Sequence, residues 1–515
     1  MKWYWKALIG FGSLLLLAII TDVGLNIWIK SQLPKIINNT NDSAYFITYK
    51  SVTVSLWRGD IKANEIVVVP KAAVLDSLNR DGIFAKIKTV EVRDFKIWSL
   101  LFSDKLQAKC ITIEQPNVIL YQTNRKENVK NSVVAPFEKI IAVTDIYLNH
   151  GAVKIITVKN NKAVLSVSNV NLYLDGIVIT DKTLDNKIPF KFSDYKLTCD
   201  SIYYHPNEFY HIKTKKIIST KSNLKINKFQ MLPTYSRREF VQKISTEKDM
   251  YTVLCDSVTV SKIDWGFKSD AFFFYCNAID LNRVAANIYR SKEPTDDLTK
   301  KFLYNTLLRD MKFDLKVDTL NIRNSLVEYE EEKVFEYGAG KVIFSSFNLE
   351  ATSICSGFKR EKTPDITINI KCHFMKASPL TVAWKLNVMD KTDGFNINGT
   401  LTNFDAEKMV VFTKPYMNVS AKGILDQVHF NFTGNDKNLK GTLAVEYDDL
   451  KFTIYKKDDR KKKNKLLTFV ANIFVKKDTK EKLKDASIEI ERIPEKSFYN
   501  FLWRGIAEGL IKILV

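Results

Sequence analysis

Apolar and polar residues alternate with a period of two through most of the chain beyond its first forty positions. SVTVSLW, IKANEIVVV and AKIKTVEVRDFKI open the pattern, and AVLSVSNVNLYLDGIVI, MYTVLCDSVTVSKIDW and DITINIKCHFM continue it. Successive side chains of a strand point to opposite faces, so this period predicts strands with one apolar and one solvated face. Asn, Asp and Gly punctuate the runs, as in the Arg58-Gly59-Asp60 turn. Short strands with such turns predict an antiparallel assembly rather than βαβ repeats. Pro116 marks an edge or an interruption, because proline cannot donate to a ladder.

Three stretches break the period. Lys2 and Lys6 precede a long apolar run from Ala7 to Ile29, whose body is Leu14, Leu15, Leu16, Leu17, Ile19, Ile20 and Leu25. A helix of that length covers a hydrocarbon core of roughly 30 Å. Trp28 is placed as an interfacial anchor. The expectation is a single transmembrane anchor over residues 1–30, starting on the cytoplasmic side with the remainder translocated. A cleaved signal peptide and a buried soluble helix are the competing readings. The first of these lacks a clear small-x-small cleavage site after Ile20.

The second stretch, DDLTKKFLYNTLLRD, carries Leu298, Phe302, Leu303, Leu307 and Leu308 at helical spacing. It predicts an amphipathic junction over 296–312 between two β-rich regions, 31–295 and 313–490. The third is SFYNFLWRGIAEGLIKIL, within 491–515, an amphipathic helix presenting Phe498, Phe501, Leu502, Ile506 and Leu510. Packing onto the end of the sheet and contact with a membrane or an envelope protein partner both suit it. Gly505 and Gly509 give a GxxxG spacing, but Arg504 and Glu508 oppose a second membrane span.

Composition narrows the chemistry. The 515 residues carry a formal charge of +20, which permits attraction to anionic lipid or nucleic acid. The lysines are spread along nearly every strand-like run instead of concentrating on one motif, so no nucleic-acid partner is expected. Six cysteines, at 110, 199, 255, 276, 355 and 372, form no zinc or CxxC spacing. Inside apolar strands they read as buried thiols, although disulfides are chemically open to an extracytoplasmic chain.

His205 and His211 flank Glu208 without the HExxH register, and Pro206 disfavours a helix there. Cys372 and His373 are neighbours, so in a strand they face opposite ways. His150 and His429 are isolated. The acidic run VEYEEEK, with Glu328, Glu330, Glu331 and Glu332, reads as a solvated strand end or turn, and Tyr455–Lys465 as an exposed loop. No glycine-rich phosphate loop, nucleophile elbow or dinucleotide fingerprint occurs. The residues therefore nominate no catalytic, metal or cofactor site, and a non-enzymatic role is expected.

The functional content of the pattern is distributed. A long sheet that curls without closing encloses acyl chains on its apolar face while lysines keep the other face wet. Each lipid methylene buried there contributes about 0.8 kcal/mol. The same alternation fits a β-sandwich whose two sheets bury each other. Periodicity alone leaves both readings open.

The order of these features resembles the AsmA-like family of bacterial envelope proteins, in particular its shorter Bacteroidota-type members. The resemblance covers essentially the whole chain. It rests on the N-terminal apolar run and on IKTVEVRDFKIWSLLFSDKLQAKCITIEQPNVILY, where Ser99, Leu100, Leu101 and Pro116 carry the pattern. It also rests on GILDQVHFNFTGNDKNLKGTLAVEYDDLKFTIY, where Gly434, Gly441, Tyr447, Asp448 and Leu450 do so. The resemblance implies a mainly β fold: an N-terminal transmembrane helix, then an elongated, curled antiparallel β-sheet groove with a few short helices and a C-terminal amphipathic helix. It further implies a bacterial inner-membrane protein with its bulk in the periplasm, related to bridge-like lipid-transfer proteins. Phospholipid or another envelope lipid is the expected partner, and outer-membrane assembly or phospholipid homeostasis the expected process. A structural or chaperone-like scaffold for envelope proteins is the alternative.

Overall fold

A computed structural model of the chain describes residues 45–55, 58–71, 81–96, 105–122, 140–180, 183, 190–268, 270–456, 462–465, 467–468, 478–479 and 482–514. The expected anchor from Ala7 to Ile29 and the Ser99-Leu100-Leu101 segment lie outside them. Among the described residues, no helix is long and apolar enough to cross a membrane. The protein is mainly β with few short helices. The chain divides into two compact units, one of residues 1–206 and 212–221, the other of 207–211 and 222–515.

The first unit begins with β1 (Tyr45–Thr48), β2 (Ser51–Ser55), β3 (Asp60–Pro70) and β4 (Gly82–Arg93). It continues with β5 (Lys105–Glu114), β6 (Asn117–Gln122), β7 (Ile140–Thr157) and β8 (Lys162–Ile179). β9 (Asp194–Cys199) follows, then β10 (Ser201–Asn207), β11 (Tyr210–Thr214) and β12 (Ile217–Thr220), of which residues 207–211 count with the second unit. Neighbouring strands run β2–β3–β4–β5–β7–β8–β9–β12. β5 and β6 are one strand broken at Gln115 and the buried Pro116. Both pair antiparallel with β4 and parallel with β7. The proline's missing N–H is tolerated at this break, where its carbonyl accepts from Ala152 N–H at 2.8 Å.

The second unit holds β13 (Asn223–Pro233), α1 (Arg237–Lys243), β14 (Asp249–Ser261), β15 (Asp264–Lys268) and β16 (Ala271–Ser291). Next come α2 (Tyr304–Arg309), β17 (Asp314–Glu332), β18 (Gly340–Cys355), β19 (Ile366–Phe374) and β20 (Ser378–Leu386). β21 (Phe395–Asp405), α3 (Val410–Met417), β22 (Val419–Gly434), β23 (Asn438–Ile454), β24 (Lys484–Glu491) and α4 (Phe498–Leu514) complete it.

Two expectations change here. The sheet is mixed and not purely antiparallel, because β16 and β17 run parallel from Phe273–Asp314 to Ser291–Glu332. The return connection, residues 292–313, makes this possible, since parallel neighbours need a crossover of a dozen or more residues. That connection also contains the amphipathic stretch, which therefore lies inside the second unit. Its helix is only Tyr304–Arg309. Leu303 is buried and Leu308 packs on the core, but Leu298, Phe302 and Leu307 are exposed.

Left-handed residues interrupt strands in both units. Glu65, Gln115, His150 and Asn169 have φ between 48° and 57° in the first unit, as do Lys228, Arg283 and Asn324 in the second, at 50° to 52°. Such residues interrupt the pleat, and the apolar positions change parity across them. In β3 they move from Ile61 and Ala63 to Ile66 and Val68; in β7, from Ile146 and Leu148 to Val153 and Ile155.

A candidate apolar binding face

Register decides which side chains share a face. In the first unit one row of paired residues reads Val52, Ala63, Val90, Ile113, Leu148, Leu172 and Leu197 across seven strands. Two positions along each strand, the next row reads Val54, Ile61, Val92, Ile111, Ile146, Leu174 and Tyr195. The row between them, on the opposite face, reads Thr53, Lys62, Glu91, Thr112, Tyr147, Tyr173 and Lys196. One face is thus continuously apolar and the other polar. Only Val52 and Val54 of the apolar rows are fully buried; the rest are half-buried. The polar face is knit by its own bonds, including Tyr173 to Asp145 at 3.0 Å and Asn149 to Glu114 at 2.7 Å. The Asp145 carboxylate beside it pushes the Tyr173 phenol up to about 12.

The second unit repeats the arrangement over ten strands. One row is Val260, Ile279, Leu320, Ala351, Ile368, Trp384, Ile397, Phe432, Gly441 and Ile488. Its neighbour on the same face runs from Val258 and Leu281 through Val382, Gly399 and Phe430 to Leu443 and Ala486. Between them Thr259, Asp280, Asn321, Glu350, Asn369, Asn398, Asn431, Thr442 and Ser487 occupy the opposite face, with Ala383 of β20 the one apolar member of that row.

At the β20–β24 end this apolar face is closed. α4 lies over β23 and β24 and buries Phe498, Phe501, Gly505, Gly509 and Ile513. A Cβ on Gly509 would sit 2.6 Å from Leu443 Cβ, so glycine is what lets the helix approach. Phe498 stacks on Trp384, centroids 4.6 Å apart and 8° from parallel. Leu439, Leu443, Val445 and Phe432 are wholly inaccessible beneath it. Toward β14–β18, by contrast, Ile279, Leu281, Leu320, Ile322 and Leu349 remain half-buried.

The acidic run at the end of β17 is the clearest departure from expectation. Glu330 and Glu332 are buried, at 6% and 5% exposure, and not solvated. α1 is nucleated by a capping box, Ser236 with Glu239. It carries Arg237 onto Glu330 through two bonds, of 3.0 and 2.8 Å, while its guanidinium lies 4.3 Å from the Tyr289 ring centroid. Asn287 donates to Glu330 at 2.6 Å, Lys341 lies 3.3 Å away, and Tyr289 donates to Glu332. Burial opposes the Glu330 charge, but the Arg237 and Asn287 bonds outweigh it and hold the carboxyl below its ordinary range.

Glu331 points the other way, where Tyr329, Tyr416 of α3 and Lys292 reach it, and Lys292 also pairs with Glu247. These charges are satisfied by partners up to 93 residues away, which no local pattern reveals.

The remaining candidates disperse. His205 and His211 lie on β10 and β11 either side of a turn. Cys372 is buried while its neighbour His373 is exposed, and His429 bonds Thr400 at 2.9 Å. All six cysteines are free thiols; five are buried and Cys110 half-buried. No group of His, Cys, Asp and Glu among the described residues suits a metal ion. Gly434, Gly441, Tyr447 and Asp448 fall on β22 and β23 near the helix-covered end. A Cβ on Gly441 (φ 155°) would strike the Asn431 carbonyl, and Tyr447 is buried with its N–H and C=O bonded to Thr479.

Fold and face together define a mainly β protein whose sheets are amphipathic from strand to strand. Compared with known proteins, the chain matches no family model and no curated protein.

Proposed function

We propose that the protein binds lipid acyl chains on the apolar face of its sheets and serves in lipid transfer within the bacterial envelope. In this reading residues 7–29 anchor it in the inner membrane, its bulk lies in the periplasm, and it contributes to outer-membrane assembly or phospholipid homeostasis. The observation that carries the proposal is the pair of apolar rows across β2–β9 of the first unit, mostly half-buried. A sandwich buries such rows under a second sheet. Among the described residues, the three clusters of buried hydrophobic side chains all lie in the second unit. An acyl chain lying along the first unit's rows supplies the missing cover, at about 0.8 kcal/mol per methylene. The mechanism is passive movement along the face, with lysines of the polar side in water.

The test is lipid analysis by mass spectrometry on the full-length protein after extraction. Stoichiometric lipid is expected, and its loss in an Ile111→Asp, Ile146→Asp, Leu174→Asp variant. A matched Thr112→Asp variant on the polar face keeps its lipid. Lipid-free wild-type protein, or equal lipid in both variants, overturns the proposal and turns attention to an envelope scaffold. Circular dichroism of the triple variant checks that its sheet persists.

A further inference from the structure

We propose that a cavity beside the starts of β16 and β17 binds a phosphomonoester that carries an apolar group. The cavity measures about 420 Å³ and is bounded on its other side by the loop 358–362. Three phenylalanines, Phe272, Phe273 and Phe358, line it, and four cations share it with two carboxylates. The resulting formal charge of +2 matches a phosphomonoester, which carries about −1.5 to −2 at neutral pH, better than a singly charged diester.

Of the four cations Arg360 is half-buried, and Lys268, Lys359 and Lys362 are exposed at the rim. Arg360 donates to one oxygen of Asp314, and the other oxygen accepts from the Tyr275 hydroxyl at 2.5 Å. Both Arg360 and Asp314 are 24% exposed and line the cavity together, and the bond to Asp314 engages one end of the guanidinium, which leaves its other N–H donors to meet an oxyanion. The Lys268 ammonium lies 4.4 Å from the Phe273 ring centroid, and Lys359 lies 5.4 Å from that of Phe358. Among the described residues, no carboxylate pairs with Lys268, Lys359 or Lys362. A cation over an aromatic face is held there by the ring's quadrupole while its N–H donors stay open to an incoming anion. The same rings offer an apolar surface to whatever the phosphate is attached to. None of these residues belongs to the apolar rows described above, so this site and the acyl-binding face stand or fall separately.

The experiment is calorimetric titration of the full-length protein in phosphatidylcholine nanodiscs with hexyl phosphate, and in parallel with inorganic phosphate. Hexyl phosphate is expected to bind at least tenfold more tightly than inorganic phosphate, with affinity falling as salt rises. Lys268→Gln combined with Lys362→Gln cuts that affinity tenfold or more, while Lys440→Gln on β23 leaves it unchanged. Ile146→Asp, which disables the acyl-binding face, also leaves it unchanged. Both lysines of the double variant lack carboxylate partners, so its melting temperature stays that of the wild type; if it drops, the single Lys362→Gln variant is read instead. Equal affinity for the two probes, no heat at millimolar hexyl phosphate, or an unaffected lysine variant overturns the site.

Discussion

The sheet of the first unit and the helix-covered end of the second are built from the same alternation, yet they meet different fates. Leu172 and Leu443 both lie in apolar rows on one face of a sheet. Leu443 is wholly buried because α4 lies over it, with Gly509 opposite; Leu172 is half-buried. A residue's place in the binary pattern therefore tells which face it takes but not what covers that face. Where a helix covers the row, apolar area has become stability. Where none of the described residues does, the row stays half-buried.

The sharpest way to break this comparison is truncation at matched positions. Leu443→Ala is expected to cost about 2–5 kcal/mol, the range for a buried leucine whose cavity cannot fully collapse. Leu172→Ala is expected to cost well under half of that. Denaturant unfolding measures both, and equal losses contradict the difference in cover. Next in size is Glu330→Gln, which leaves Arg237 facing a neutral amide and should destabilise the second unit by about 3 kcal/mol.

Glu330 has a lower pKa folded than unfolded. Its contribution is thus complete above the unfolded carboxylate range, about 4.3, and is lost as pH falls through the lowered folded value. The wild-type melting temperature should consequently fall more steeply than that of Glu330→Gln below about pH 4.5. A parallel decline in the two proteins removes the ion pair as the cause. Gly509→Ala sharpens the account of the covering helix: overpacking against Leu443 should cost about 1–3 kcal/mol. Ala507→Ser, half-buried on the same helix, serves as the mild control. The smallest effect is chemical. Burial pushes the Cys372 thiol up to about 11, so at neutral pH it stays protonated and should react with iodoacetamide far more slowly than half-buried Cys110. Similar rates indicate that β19 opens on the labelling timescale.

Much of the architecture was legible in order. Strand-forming runs, the amphipathic terminal helix and the opposite facing of Cys372 and His373 all follow from a period of two or of 3.6, which is a local property. Parallel pairing of β16 with β17 was hidden because it depends on a crossover whose helix covers only Tyr304–Arg309. The VEYEEEK run misled for a related reason. Five of its seven residues are charged, and charge ordinarily means solvent; here Arg237, Asn287, Tyr289 and Tyr416 arrive from other elements to satisfy it. The cavity with Lys268 and Arg360 joins a strand end to a loop 92 residues later, a distance no spacing rule spans.

By itself the sequence determined that the chain forms strands, that side chains alternate between two faces along each uninterrupted run, and that its last residues form a helix. These follow from short-range sterics and from the cost of exposing apolar groups on a pleat. Tertiary structure alone decided which rows align across strands, where α4 closes the apolar face, and which charges are buried. Those outcomes depend on register and on partners remote in the chain, and one residue of slip would turn every row over.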